Sequence, residues 1–402
     1  MSIVRTPASL AIDGGRPVRA SRLPLHRPVF GEEEAAAVRD VLASGHVAGD
    51  GVRGRELERL LRDATGARGV LAVNNCTAAL EIAVQAAGLG PGDEVILPSF
   101  TFVSTANAVL RAGARPVFAD IDPRFLTLDP ADLRRRVTPR TRAIVPMHYA
   151  GMACDMAALG EIAASHRLVV IEDAAHGVNA AWRGRALGAV GALGGLSFHE
   201  TKDLVCGEGG ALLVRDDDSL LRAAEILREK GTDRTAFLRG ERAKYTWVGL
   251  GSSWVLSDLL AAIAVEQFKR VPSITRRKTE HAERLLDALS PHSAVVQLPA
   301  VPDGCRPNWH VFAVLVDPAR RDWVLQALCA EGIGAAFHYV PLHSAPFART
   351  SPDIDAVDLP VTDRVAASLV RLPLSAAFSD ADCGDVINAC HKVFDRLARR
   401  RP

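Results

Sequence analysis

Between Gly69 and Val214 the chain alternates short apolar runs with longer intervals of helical spacing. The runs fall at residues 70–73, 94–97, 116–119, 143–146, 168–171, 194–198 and 211–214. They are apolar throughout rather than alternately apolar and polar, which suits strands covered on both faces. This pattern predicts an α/β fold built on a mostly parallel seven-stranded sheet with crossover helices. Further helices are expected at 32–43, where acids fill the first turn, at 55–64, at 220–230, and from 258 past a kink at Pro272 to about 289. Residues 230–257, with Trp247 and Trp254, form a polar and aromatic segment too long to be an idle loop.

The two ends read differently. Residues 1–30 carry Pro7, Pro17, Pro24 and Pro28 with little periodicity, which predicts an extended arm lying on the body or on a partner subunit. The C-terminal part reads as a smaller α+β unit: strand 309–316, helix 321–330, strand 334–339 and helix 380–399. The expected division is an arm over 1–30, a large α/β domain over 31–265 and a small domain over 266–402.

Composition adds the class. Hydrophobic residues make up 48% and charged residues 24%, as in an ordinary soluble globular protein, and a net charge of +1 points to neither nucleic acid nor a membrane surface. The arginines of 396–401 read as a solvated helix end. Seven cysteines, without C-x-x-C or zinc-ligand spacing, read as reduced thiols in a cytoplasmic enzyme that holds no metal. No apolar signal core and no run of membrane-spanning length is present.

The candidate chemistry starts from lysine, of which the chain has six, the first being Lys202. Lys202 follows the run at 194–198 and precedes a Gly-rich turn. An amine that must lose its proton and attack a carbonyl has no guanidinium substitute, so Lys202 is either a Schiff-base lysine or a solvated loop residue. In an open α/β sheet ligands bind beyond the carboxyl ends of the strands. After 70–73 come Thr77 and Ala78 at a helix start, which make either a phosphate seat or a plain N-cap. After 94–97 come Phe100 and Phe102, a stacking face or core. After 168–171 come Asp173, able to hold a ring nitrogen protonated or to cap a helix, and His176. Ser197 and Lys202 follow 194–198. Together these are the parts that hold and use pyridoxal phosphate.

Longer stretches carry a resemblance: PGDEVILPSFTFVSTANAVLRAGARPVF (91–118), IVPMHYAG (144–151), IEDAAHG (171–177), GRALG (184–188), SFHETK (197–202), GEGGA (207–211), REKGT (228–232), KYTW (244–247) and FHYVPLH (337–343). In these the chain resembles the DegT/DnrJ/EryC1/StrS sugar aminotransferases, pyridoxal-phosphate enzymes of fold type I, and most of all those acting on dTDP-4-keto-6-deoxyhexoses. The resemblance implies that Lys202 carries the Schiff base, Asp173 holds the pyridine nitrogen, His176 lies by the ring oxygen, Phe102 stacks on the ring, and Thr77, Ala78 and Ser197 hold the phosphate. It also implies a homodimer with shared active sites. Many members supply an Asn from the second subunit, a position occupied here by Val255 beside Ser252 and Ser253. Members with His in place of the lysine remove a hydroxyl instead; with Lys at 202, transamination between L-glutamate and a dTDP-keto sugar is expected, releasing 2-oxoglutarate. His338, Tyr339, Arg234 and Lys244 are the candidate substrate contacts. Alternatives are another pyridoxal-phosphate enzyme on nucleotide keto sugars, such as a 3-aminotransferase or dehydratase, or a non-catalytic metabolite sensor. A dinucleotide-binding dehydrogenase is disfavoured because Asn74-Asn75-Cys76-Thr77 stands where G-x-G-x-x-G belongs.

Overall fold

The computed structural model describes residues 9–399. The first eight residues of the expected arm, and Arg400, Arg401 and Pro402 at the other end, lie outside that range.

The seven apolar runs form one seven-stranded sheet. In chain order its strands are β1 (Gly69–Val73), β2 (Glu94–Pro98), β3 (Arg115–Ala119), β4 (Thr141–Ile144), β5 (Val169–Asp173), β6 (Leu193–Ser197) and β7 (Gly210–Val214), arranged β1-β7-β6-β5-β4-β2-β3. Only β7 runs against its neighbours; the other six are parallel. Alternate residues of one strand enter different cores: Leu71 and Val73 pack on one face of β1, and Val70 and Ala72 on the other. Both faces are therefore dry, which is why the runs do not alternate with polar residues.

Helix α1 (Cys76–Ala86) starts directly after β1 and packs its buried face on β6 and β7. Its first turn comes very close to those strands. A methyl group at Gly210 would lie 2.6 Å from the Asn75 carbonyl carbon and 2.7 Å from the Cys76 nitrogen, and one at Gly195 would lie 3.2 Å from Cys76 Sγ. Glycine at these positions lets the helix start sit against the sheet.

A 32-residue helix, α2 (Asp258–Leu289), contains Pro272 and links the two parts of the chain. Its Ala261, Ala264, Val265 and Val271 join the core beneath the sheet, whereas Ala282, Leu285 and Leu289 join a second core. That second core also holds a two-stranded antiparallel sheet, β8 (Phe312–Leu315) with β9 (Leu369–Leu372), and the closing helix α3 (Asp380–Arg399).

Of the two places expected for the arm, the structure has it on the body: Leu10 and Leu23 are buried in the second core, and Leu23 bridges to Ile333. Two expected strands change. The expected strand 334–339 reduces to one bridge, Ala336 to Arg371, after which the chain leaves the sheet and turns His338 and Tyr339 face to face with ring centroids 4.0 Å apart. The strand expected from 309 begins only at Phe312, because Trp309 holds a left-handed φ of 54° that breaks extended pairing. The four-residue strand β9 was not expected, since Arg371 interrupts its apolar pattern.

Replacing Gly210 with Ala should push the start of α1 off the sheet. We expect a lower melting temperature and faster loss of a bound anion from that helix terminus; an unchanged thermal transition would contradict the packing described.

Candidate active site

The carboxyl ends of β1, β2, β5 and β6 open into a cavity of about 1090 Å³. Its walls come from both parts of the chain and from the arm, which contributes Leu25, His26 and Pro28.

Lys202 lies on the loop after β6, where Lys202 N donates to His199 O at 2.9 Å. The loop is closed by Glu200 N to Gly207 O and Cys206 N to Phe198 O. Burial lowers the pKa of the Lys202 amine, and the opposing pull of Cys76, Asp173 and Asp203 does not restore it. Among the described residues its Nζ makes no hydrogen bond or ion pair.

Asp173 ends β5 with its backbone pinned on both sides, Asp173 N to Pro146 O and His148 N to Asp173 O. Thr105 Oγ1 donates to its Oδ2 at 2.6 Å, and Ala175 N donates to its Oδ1 at 3.1 Å. No helix follows for it to cap, so the carboxylate is aimed at the cavity. Its neighbour Glu172 is structural: fully buried, it accepts from the amides of Gly188, Val190 and Gly191 and from His148 Nε2. That accounts for His148 and for the GRALG stretch.

His176 accepts from Ala150 N at its Nδ1, which leaves the proton on Nε2, 3.4 Å from the Tyr339 hydroxyl. Burial, then the Lys202 charge, keeps its pKa well below the usual histidine value, so the ring is a neutral Nε2–H donor. The His310 ring lies against it, tilted by 39°, with centroids 4.1 Å apart. His310 is placed by the kink at Trp309 and by Asn308, whose Nδ2 donates to His176 O and Val178 O and whose Oδ1 accepts from His310 N. Burial brings His310 down to about 3.

Asp203, next to Lys202, forms a buried ion pair with Lys278 of α2 and lies 3.4 Å from His310 Nδ1. Burial alone would raise the Asp203 pKa, yet the Lys278 ammonium and His310 hold it below the ordinary carboxylate range.

The remaining expected residues divide. Thr77 Oγ1 pairs with Ser104 Oγ at 2.7 Å, and both line the cavity with Ser197 at the start of α1. Phe102 is 55% exposed and covers one side. Tyr339 lines the cavity, as does His338, whose Nδ1 is 2.8 Å from the Tyr149 hydroxyl. Ala78 does not line it: the Ala78 amide is taken by the N-cap side chain of Asn75. Arg234 and Lys244 do not line it either. Arg234 faces Asp50 and Glu229, and Lys244 is exposed on the 230–257 segment. Val255 bridges to Val73 at the edge of the sheet. Thr105, Ser104, Asp203, Lys278, Arg371 and His26 also belong to the site or its supports and were not among the expected residues. Thr105 and Ser104 stand inside the quoted 91–118 stretch, and Asp203 adjoins the lysine; Arg371 and His26 carry no local signal.

A lysine of lowered pKa, a carboxylate seated by Thr105, a neutral histidine donor, a ring-sized face and a helix start with the paired hydroxyls of Thr77 and Ser104 fit pyridoxal phosphate. This is the class of the pyridoxal-phosphate aminotransferases of fold type I. The chain belongs to the DegT/DnrJ/EryC1/StrS aminotransferase family, whose model matches residues 28–391, and members of this family depend on pyridoxal phosphate. It is 37% identical over 380 residues to the spore coat polysaccharide biosynthesis protein SpsC of Bacillus subtilis (strain 168), covering 92% of this chain and 97% of the relative. Among solved structures, the aminotransferase TlmJ from Streptoalloteichus hindustanus superposes with a TM-score of 0.85 at 34% identity, over 94% of this chain and 100% of that one. DesV of S. venezuelae, solved in complex with a ketimine intermediate, has a TM-score of 0.85 at 31% identity, over 95% of this chain and 100% of that one.

Lys278→Met should strand Asp203 as an unpaired buried charge and cost about 3–5 kcal/mol in denaturant unfolding. Adding Asp203→Asn should recover much of that loss. Equal stability of the single variant and the parent would remove the pair from this account.

Proposed function

We propose that this sugar aminotransferase moves an amino group from L-glutamate to C4 of dTDP-4-keto-6-deoxy-D-glucose, as a cytoplasmic homodimer, giving a dTDP-4-amino-4,6-dideoxyhexose for a surface polysaccharide or an antibiotic. The observation that carries the transamination is Lys202: a half-buried lysine of lowered pKa, uncommitted among the described residues, in one cavity with Asp173. The spore coat polysaccharide relative supports a polysaccharide destination. The exposed apolar row of Trp247, Val248 and Leu250 supports a second copy covering the 230–257 segment. In such a dimer Lys244 is free to meet a nucleotide diphosphate bound at the partner's cavity.

When bound, pyridoxal phosphate supplies an electrophilic carbonyl and a sink for the electrons of the reacting carbon. Asp173 would hold its ring nitrogen, His176 Nε2–H its ring oxygen, Phe102 one ring face, and Thr77, Ser104 and Ser197 its phosphate. Lys202 would attach it. Once released, the Lys202 amine takes a proton from the donor carbon and later delivers one to the sugar carbon. Burial lowers its pKa, which enlarges the free-amine fraction able to act as a base.

The test is to incubate cofactor-loaded protein with glutamate and the dTDP-keto sugar. An amino sugar and 2-oxoglutarate should form in equal amounts, and Lys202→Ala should abolish turnover together with the yellow, borohydride-reducible chromophore. Formation of a deoxygenated sugar, or of no product, would overturn the reading. Because the Lys202 pKa is lowered, its free-amine fraction grows as pH rises and saturates below the range of an exposed lysine. Capture of pyridoxal phosphate by cofactor-free protein should follow that curve.

A further inference from the structure

His310 is fixed at every polar atom but one. Its backbone N donates to Asn308 Oδ1 at 2.9 Å and to Ala150 O at 3.1 Å, and its carbonyl accepts from Lys278 Nζ at 3.2 Å. Its Nδ1 lies 3.4 Å from the Asp203 carboxylate, and its ring rests against His176. Two residues of this frame, Ala150 and Trp309, hold left-handed backbone with φ of 60° and 54°, and neither is glycine. A methyl group on Gly151 would lie 1.8 Å from Asn308 Oδ1, so glycine is what leaves room for that side chain. Backbone strain of this kind persists where the surroundings over-determine it, and it clusters where a ligand is held. The atom left over is Nε2, which has no hydrogen-bond partner among the described residues, on a ring that lines the cavity.

The Asp203 carboxylate draws the single proton of the neutral imidazole to Nδ1, which leaves Nε2 as a lone pair that accepts. Its ligand must therefore bring a donor. Carboxylates and phosphates bring none, which sets aside both acid groups of glutamate and the diphosphate of a nucleotide sugar. The amine of glutamate is itself the group transferred. A sugar hydroxyl is a donor that lasts through the reaction. Because His310 borders His176 and feels the charge of Lys202, that hydroxyl belongs beside the reacting carbon. Of the two carbons flanking C4 in a 6-deoxyhexose, C5 carries the methyl group and the ring oxygen, and C3 carries a hydroxyl. We infer that His310 Nε2 accepts a hydrogen bond from the C3 hydroxyl of the keto sugar, with Asp203 and Lys278 as the positioning residues that hold the ring ready. The inference rests on the function proposed above and adds to it a group that reads the acceptor sugar.

The experiment compares wild type, His310→Phe and His310→Gln, each loaded with pyridoxamine phosphate; equal absorbance of the bound cofactor shows that all three are folded with their sites in place. Phe keeps a flat ring against His176 and removes the acceptor, whereas Gln restores an acceptor. Calorimetry uses dTDP-6-deoxy-D-glucose, which has no carbonyl to react, and its 3-deoxy counterpart. Binding of the 3-hydroxy ligand should weaken by roughly 5–10-fold in His310→Phe, as for a neutral hydrogen bond, with partial recovery in His310→Gln. The 3-deoxy ligand should bind all three proteins alike. In turnover, the rise in half-saturating keto sugar should exceed the rise in half-saturating glutamate. A wild type that ignores the 3-hydroxyl overturns the inference, as does a 3-deoxy ligand weakened as much as the 3-hydroxy one. Equal losses for glutamate and keto sugar overturn it too, by marking His310 as support for His176 alone. A wild type that tells the two ligands apart through His310 yet transfers no amine to the keto sugar would instead overturn the function proposed above and leave the hydroxyl contact standing.

Discussion

An amine that has to act as nucleophile and base must sit in a dry cavity without being locked to a counterion, and the surroundings of Lys202 are arranged around that requirement. The nearest acid in sequence, Asp203, would quench it. Lys278 from the long helix takes up that acid, and His310 approaches its other oxygen. The acid across the cavity, Asp173, is occupied on both oxygens by Thr105 and the Ala175 amide. Both of these aspartates thus have another partner, and burial lowers the amine's pKa without a close ion pair to reverse it.

The same commitments tie the two parts of the chain together. Lys278 reaches from α2 to the loop after β6. Asn308 links the second core to the backbone of His176 and Val178, and the left-handed Trp309 beside it turns His310 onto His176. A bulky residue in that backbone region is costly and persists only where its surroundings over-determine it. The sheet supplies one half of the site, and the C-terminal unit holds the other half in place through a few buried polar contacts.

The sheet was legible because both of its faces are dry, which leaves an uninterrupted apolar run in the sequence for each strand. Lys202 was legible because its chemistry admits no substitute, and Asp173, His176, Thr77 and Ser197 because they follow strand ends. Ala78 was misplaced because helix capping by Asn75 consumes its amide, a competition invisible at the level of residue type. Arg234 and Lys244 were placed by their charge alone, and Arg234 is claimed by acids on neighbouring elements. Arg371 and Lys278 escaped for the opposite reason. Each meets the site only after the chain has crossed from one core to the other, and Arg371 is one of many arginines in the sequence. The expected strand at 334–339 failed because its apolar residues face a cavity instead of a neighbouring strand.

The arm has a consequence for the order in which the molecule is completed. Leu25, His26 and Pro28 form part of the cavity wall, yet the groups that fix them there, Gly332, Ile333, Leu374 and Ser375, are more than three hundred residues later. On the ribosome the arm must wait, unanchored, until the C-terminal unit that holds it has been made. The pocket is therefore closed only when two stretches far apart in the chain meet, and a nascent chain stopped before Gly332 is left with an open wall.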